Sequence, residues 1–143
     1  MGQLFEFVGN HLFLFFALFA VSGALIWNVF QSQLTGVAAI NCFEVTKLLN
    51  HEDAVLIDVR EENEFIQGHI LNSINMPLSG LSDKMSRLEK HRDQPIIAIC
   101  LSGQRSAQAC GKLKKQGFEK VYNLSGGIMA WQTASLPLTR GKE

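Results

Sequence analysis

The feature that most constrains this chain is a long uncharged apolar run near its N-terminus. Residues 12–30 read LFLFFALFAVSGALIWNVF, 19 residues without Asp, Glu, Lys, Arg or His. A helix of that length is about 28 Å long, close to the hydrocarbon thickness of a bilayer. The rest of the chain is too short to surround such a helix as a core. We therefore predict one transmembrane helix at 12–30, with Trp27 as an interfacial anchor.

A cleaved signal peptide is the alternative interpretation of this run, because residues 37–39 (Val-Ala-Ala) resemble a cleavage site. The segment before the run contains no Lys or Arg, which favours an uncleaved anchor. Every Lys and Arg follows the run, so the positive-inside tendency places the C-terminal part in the cytoplasm. The expected location is the inner (plasma) membrane, crossed once, with the globular domain facing the cytoplasm.

Patterning divides the chain into five parts. The predicted boundaries are an N-terminal tail at 1–11, the helix at 12–30, a linker at 31–39, one globular domain at 40–137 and a C-terminal tail at 138–143. The domain alternates short apolar runs, such as 54–57 and 96–99, with helical stretches. Continuous apolar strands between helices predict an α/β fold, with a central parallel sheet covered by helices on both faces.

Composition excludes several classes of function. The 13 Lys and Arg balance the 13 Asp and Glu and form no basic stripe, so no nucleic-acid partner is expected. The three cysteines do not form a disulfide framework, and no Cys/His cluster has the spacing of a metal site. We therefore expect a reducing compartment and no metal.

Cys100 is the candidate nucleophile because it follows the apolar strand at 96–99 directly and precedes a predicted helix. Ligand sites of parallel sheets form beyond the carboxyl ends of the strands. A loop curled around the sulfur can direct several backbone N–H groups at it, and no proline removes a donor. Arg105 adds a fixed positive charge and is the second predicted catalytic residue. The predicted substrate-binding residues are the others of this loop: Leu101, Ser102, Gly103, Gln104 and Ser106.

An isolated cysteine is more often a small buried hydrophobic residue than a nucleophile. The setting of Cys100, a strand followed by C-x-x-G-x-R-S and a helix, favours the reactive interpretation, because such a loop lowers a thiol pKa. Cys110 lies on the predicted helix without these features, and we interpret it as a packing residue. Cys42 has no predicted catalytic role.

Five separated motifs carry a resemblance to a known family. They are Leu56 to Glu61, Glu64-Phe65 with Gly68-His69-Ile70, Ile74 to Pro77, Cys100 to Ser106, and Leu124 to Ile128 with Trp131. In this order and spacing they resemble the rhodanese family, from about residue 40 to residue 137. The resemblance implies a rhodanese-like fold.

The resemblance also implies a double displacement, in which sulfane sulfur passes from a donor to the Cys100 thiolate and then to a thiophilic acceptor. No metal or organic cofactor is implied. Asp58 and Arg60 are expected to support the loop through charge pairing, and His69 is expected to be structural. The pair Gly126-Gly127 is expected to allow a tight backbone turn near the loop.

The length of the loop and one difference from the usual rhodanese loop refine the expected activity. Phosphatases and arsenate reductases on related folds resemble C-x5-R, whereas Cys100 to Arg105 is C-x4-R, a smaller cradle suited to sulfur. We therefore expect no appreciable phosphatase activity. Many rhodanese loops carry Arg directly after the cysteine, and Leu101 stands there in this chain. A persulfide donor is thus an alternative to thiosulfate.

Two functions of different classes follow from the sequence. The first is a membrane-anchored sulfurtransferase, whose partners are a sulfur donor (thiosulfate or a persulfide), a thiophilic acceptor such as a protein, the lipid bilayer and a membrane-protein partner. The alternative is a membrane-tethered interaction module that uses the fold as a docking surface without turnover. The intact Cys, Gly and Arg of the loop favour the first.

Overall fold

The computed structural model describes residues 12–34 and 36–141. The predicted N-terminal tail at 1–11 and the last two residues of the C-terminal tail lie outside the described residues. The chain divides into two compact units, residues 1–35 and 36–143. The second unit contains the whole sheet, so it corresponds to the predicted globular domain.

The apolar run forms one helix, α1 (Leu12–Leu34), which continues four residues past the predicted end at residue 30. Most described side chains of its 12–27 part are exposed, and Phe13 and Phe19 are 82% and 73% exposed. Across the part of the chain that the structure describes, no helix has both the length and the apolarity that crossing a membrane requires. The prediction of a helix here is confirmed, and that of a membrane crossing is not.

The second unit is built on five parallel strands in the order β1-β5-β4-β2-β3. The strands are β1 (Ala38–Ile40), β2 (Val55–Asp58), β3 (Ile74–Asn75), β4 (Ile96–Ile99) and β5 (Val121–Leu124). The central strand β4 is buried along its whole length, which explains its uninterrupted apolar sequence. The predicted parallel α/β sheet is confirmed.

Helices cover both faces of this sheet. They are α2 (Cys42–His51), α3 (Glu62–Gln67), α4 (Leu81–Lys84), α5 (Gln104–Lys115) and α6 (Gly127–Thr133), with 3-10 turns at Leu78–Gly80 and Met85–His91. Successive strand residues point to opposite faces. Ile96 and Ala98 therefore pack in one core cluster with Leu113 of α5, whereas Ile97 and Ile99 pack in another with Trp131 of α6.

The start of α2 shows how sequence sets an element boundary. Asn41 Oδ1 accepts from the Glu44 N–H at 3.0 Å, and the Glu44 carboxylate accepts from the Asn41 N–H at 2.9 Å. This reciprocal pair is a capping box, and it satisfies two backbone donors that the helix leaves open.

Both ends of the domain extend further than predicted. Strand β1 lies partly inside the predicted linker at 31–39, because residues 38–40 pair with β5 at the sheet edge. Past Pro137, the backbone of Thr139 exchanges two hydrogen bonds with His69, and the Gly141 N–H donates to the Ile66 carbonyl. Residues 138–141 are therefore held by backbone bonds against α3 and the segment that follows it.

Candidate active site

Cys100 lies at the carboxyl end of the central strand, where β4 gives way to the loop 101–103 and then to α5. Its sulfur accepts a hydrogen bond from the Gly103 N–H at 3.1 Å, and the Ser106 hydroxyl oxygen lies within hydrogen-bond distance of it at 3.3 Å. Cys100 is 1% exposed. The structure thus brings the predicted nucleophile together with two of the predicted loop residues.

Opposing effects act on the pKa of Cys100. Burial is the largest of them and raises the pKa, because it disfavours the charged thiolate. Hydrogen bonds to the sulfur lower it, from the Ser106 hydroxyl and from the backbone N–H groups of Ser106, Ser102 and Gly103. Together these donors outweigh burial, so the pKa of Cys100 lies below that of an ordinary thiol.

The loop conformation depends on the start of α6. The N–H groups of Ile128 and Met129 donate to the carbonyls of Cys100 and Leu101, at 2.8 and 3.2 Å. With its carbonyls turned to α6, the loop has its N–H groups free to turn toward the sulfur. The approach is close enough that a Cβ on Gly127 would lie 2.2 Å from the Cys100 carbonyl oxygen. This contact explains Gly127, and both Gly126 and Gly127 have a positive φ.

Arg105 lies in the first turn of α5, but its guanidinium pairs with Glu64 of α3. The two form a bidentate ion pair, with Nη1 to Oε2 at 2.7 Å and Nη2 to Oε1 at 2.8 Å. The hydrogen bond from Arg105 holds the pKa of Glu64 below its usual value. The hydrogen bond to Glu64 is the main cause of the raised pKa of Arg105, and attraction to the charge of a Cys100 thiolate adds to it. It thus acts on the sulfur through its charge, while its hydrogen bonds in this structure go to Glu64.

Asp58 and Arg60 form a buried ion pair at the end of β2, next to β4. Arg60 Nη2 donates to Asp58 Oδ2 at 2.6 Å and to the Gly68 carbonyl at 2.7 Å. The Arg60 N–H also donates to Asp58 Oδ1 at 3.0 Å. Among the described residues, the hydrogen-bond partners of the Cys100 sulfur come from Gly103 and Ser106, and neither Asp58 nor Arg60 is one of them. Their geometry is that of a support linking β2 to the turn after α3.

The remaining predicted loop residues face outward. Ser102 and Gln104 are exposed, and Leu101 is 44% exposed. Leu101 lines an open groove of about 680 Å³ with Ile128 of α6. The groove runs on to Leu136, Leu138 and Arg140 of the C-terminal segment. Arg60, Glu64 and Gln132 also line this groove, so its surface combines apolar side chains with charged and polar ones.

His69, Cys110 and Cys42, which the sequence predicts to be non-catalytic, do not belong to the group of residues whose hydrogen bonds hold the Cys100 loop. His69 is fully buried, stacks on Phe65 with ring centroids 3.7 Å apart, and has its Nδ1 2.9 Å from the Phe65 carbonyl oxygen. Cys110 is buried in the core, and burial raises its pKa to about 12. Cys42 is partly buried at the start of α2. Among the described residues, no group of His, Cys, Asp and Glu has the arrangement of a metal site.

Two residues at this site were missed by the sequence reasoning. Glu64 was noted only as part of a motif, yet it is the partner of Arg105, 41 residues away. Asn123 of β5 was not singled out, yet its amide contacts both Ser106 and Gly103. A polar residue inside the buried run Val121–Leu124 was the available signal, since buried polar groups require partners.

Comparisons with known proteins agree with this geometry. A family model described as rhodanese-like domain matches residues 43–134. The chain is 38% identical over 143 residues to the protein YibN of Escherichia coli K12, covering 99% of this chain and 100% of that one. It is 39% identical over 95 residues to the thiosulfate sulfurtransferase GlpE of Pseudoalteromonas translucida, covering 66% and 89% of the two chains.

The fold is also similar to solved structures. The crystal structure of a rhodanese-related protein from Thermoplasma volcanium superposes with a TM-score of 0.65 at 35% sequence identity. The superposition covers 71% of this chain and 97% of that one.

Proposed function

The chain belongs to the rhodanese-like domain family, and we propose that it is a sulfurtransferase carrying sulfane sulfur as a persulfide on Cys100. The single observation that carries the proposal is that the Gly103 N–H and the Ser106 hydroxyl both lie within hydrogen-bond distance of the Cys100 sulfur, where they can stabilise a thiolate. Relatives named as sulfurtransferases support the same class of activity.

The proposed reaction consists of two displacements at sulfur. The Cys100 thiolate attacks the sulfane sulfur of the donor, forming a new S–S bond. The donor's own bond to that sulfur breaks, and its electron pair leaves with sulfite (from thiosulfate) or with a thiolate (from a persulfide). An acceptor thiolate then attacks the outer sulfur of the Cys100 persulfide, which restores the Cys100 thiolate. Sulfur changes carriers without an external oxidant or reductant.

The cradle supports each displacement through the charge on sulfur. A lowered pKa raises the thiolate fraction that attacks the donor, and it also makes Cys100 a better leaving group in the second step. Hydrogen-bond donors that already point at the position where negative charge develops stabilise that charge without first having to move. Asp58 and Arg60 would act on neither step directly, but through the rigidity of the loop surroundings.

We further propose that α1 attaches the protein to the inner membrane, with the catalytic domain in the cytoplasm. The support comes from the uncharged sequence of residues 12–30 and from the placement of every Lys and Arg after it. The large exposed apolar side chains of α1, such as Phe13 and Phe19, would gain from contact with lipid or with a membrane-protein partner.

The first experiment is intact-mass spectrometry of the full chain in detergent, after incubation with thiosulfate or with an organic persulfide. We expect a gain of one sulfur atom that cyanide removes. The gain should be absent in Cys100→Ser and present in the matched control Cys42→Ser. No gain with either donor would reject the sulfur carrier and favour the interaction module.

Membrane attachment is tested by fractionating cells that express the full chain. We expect the protein in the membrane fraction, released by detergent but not by high salt or carbonate. In spheroplasts an externally added protease should leave the domain intact. Recovery of the unprocessed full chain in the aqueous fraction would reject the anchor, and cleavage of the domain would reject the orientation.

A further inference from the structure

Cys100 and three buried residues around it form a closed ring of hydrogen-bonding groups. The Gly103 N–H and the Ser106 hydroxyl reach the Cys100 sulfur at 3.1 and 3.3 Å. Ser106 Oγ is also 2.6 Å from Asn123 Oδ1, and Asn123 Nδ2 donates to the Gly103 carbonyl at 3.0 Å. Ser106 is fully buried and Asn123 is 8% exposed, so water does not readily replace these partners.

The orientation of the Asn123 amide follows from its neighbours. The Gly103 carbonyl can only accept, so the NH₂ group of Asn123 must face it. The amide oxygen therefore faces Ser106, and it too can only accept. Two oxygens 2.6 Å apart with no proton between them would repel each other. The hydroxyl of Ser106 must then donate to Asn123 in the resting ring.

Ser106 has one hydroxyl proton and two acceptors for it. When it donates to Asn123, it presents lone pairs to the sulfur, an arrangement that suits a protonated thiol. When Cys100 ionises, the best use of the proton is a bond to the thiolate, and Asn123 Oδ1 then loses its donor. We propose that Asn123 is a positioning residue that competes with the Cys100 sulfur for the only hydroxyl proton of Ser106 and so favours the thiol form of Cys100.

Other charged groups around the sulfur do not share this competition. From α5 and α3 come Arg105 and its partner Glu64, from β2 come Asp58 and its partner Arg60, and Cys110 of α5 is a protonated thiol in the same core cluster. Among the described residues, the Ser106 hydroxyl has Cys100 and Asn123 as its hydrogen-bond partners, and none of these charged groups. The inference rests on the proposed function for its biological use, but its test requires no sulfur donor.

The test is a pH titration of the thiolate ultraviolet absorbance of the full chain in detergent, with the same chain carrying Cys100→Ser as the blank. In Asn123→Leu, the Ser106 proton is free for the thiolate, and we expect the midpoint to move to lower pH. Below the midpoint the thiolate fraction should rise about three- to tenfold, the value of one hydrogen bond. Asn123→Ala serves as a second variant if Asn123→Leu does not fold, as judged by circular dichroism.

The sign of the shift separates this role from simple support of the loop. If Asn123 only held Gly103 in place, its removal would weaken the Gly103 N–H bond to sulfur and move the midpoint to higher pH. In a Ser106→Ala background, Asn123→Leu should no longer lower the midpoint, because the contested proton is absent. A higher or unmoved midpoint in folded Asn123 variants would overturn the inference, whether or not the chain forms a persulfide.

Discussion

The charge that the Cys100 sulfur experiences depends on one ion pair as well as on the loop. Arg105 favours the thiolate, and Glu64, bound to it through two hydrogen bonds, neutralises that effect. Both side chains of the pair are about one-third exposed (35% and 31%), so solvent reduces their influence on the sulfur. Substitution of one or the other partner can therefore raise or lower the pKa of Cys100.

Opposite substitutions in this pair should have opposite effects. Arg105→Ala removes the attractive charge and should raise the pKa of Cys100, slowing persulfide formation near neutral pH by about two- to threefold. Glu64→Gln leaves the Arg105 charge unopposed and should lower the pKa of Cys100. The measurement is the pH dependence of persulfide formation, followed by intact mass. Glu89→Gln, in the remote pair of Glu89 with Arg92, is the matched control. Shifts of the same sign in both variants would contradict this account.

The sequence predicted the members of this site better than their contacts. Cys100, Gly103 and Ser106 lie within seven residues, so the strand-loop-helix pattern was sufficient to place them together. Glu64 and Asn123 come from other elements, 41 and 17 residues from their partners Arg105 and Ser106. Local periodicity contains no information about such pairings, which are set by how α3 and β5 pack beside β4.

At the scale of the elements, the site is made by the meeting of β4, α5 and α6. The first two supply the cysteine and its donors, and α6 fixes the loop between them by binding two of its carbonyls. These hydrogen bonds from α6 require its backbone to approach the loop closely. Gly127 permits the approach, because any Cβ there would overlap the carbonyls of Cys100 and Leu101.

Gly127→Ala should therefore damage both the fold and the site. The added methyl would lie 2.2 Å from the Cys100 oxygen, at a residue with φ of +57°. We expect a loss of stability of at least about 1 kcal/mol in urea unfolding, with persulfide formation strongly reduced. Gly80→Ala is the control, because a Cβ at Gly80 meets no atom within 4 Å and its φ is negative. Normal persulfide formation in Gly127→Ala would show that the loop does not depend on this approach.

The elements themselves could largely be predicted, with exceptions at the edges of the sheet. The buried run of β4 has a local physical cause, its uninterrupted apolar sequence, and it was predicted correctly. Strands β1 and β3 have only three and two residues, too few for an alternating pattern, and both lie at sheet edges. The pairing of Thr139 with His69 is a contact between distant segments, so no local pattern indicates that the domain continues past Pro137.

At the scale of the whole domain, the core sets the ionisation of two cysteines in opposite directions. Cys100, at the end of β4, has donors enough to lower its pKa despite burial. Cys110 lies on the α5 side of the same core cluster, where burial raises its pKa to about 12 and its thiol donates to the Tyr122 carbonyl at 3.3 Å. The same fold thus lowers the pKa of one thiol and raises that of the other.

These two shifts contribute to stability over different ranges of pH. A lowered folded-state pKa, as at Cys100, contributes stability that is complete above the pKa of the unfolded thiol and is lost as the pH falls through the folded value. A raised one, as at Cys110, contributes stability that is complete below the unfolded pKa and is lost as the pH rises toward the folded value. Above pH 9 the contribution of Cys100 is therefore constant and that of Cys110 declines.

Alkaline unfolding should accordingly report on Cys110. Between pH 9, the ordinary thiol value, and pH 12, its folded value, the wild-type chain should lose about 1.4 kcal/mol per pH unit through this group. Cys110→Ala removes the linkage, so it should be less stable than wild type at pH 8 but lose stability less steeply above pH 9. Urea midpoints of the full chain in detergent at several pH values measure the difference, and Cys42→Ala controls for loss of a thiol elsewhere. Equal slopes for wild type and Cys110→Ala would mean that the Cys110 thiol reaches water before the domain unfolds, and that the core around α5 opens locally.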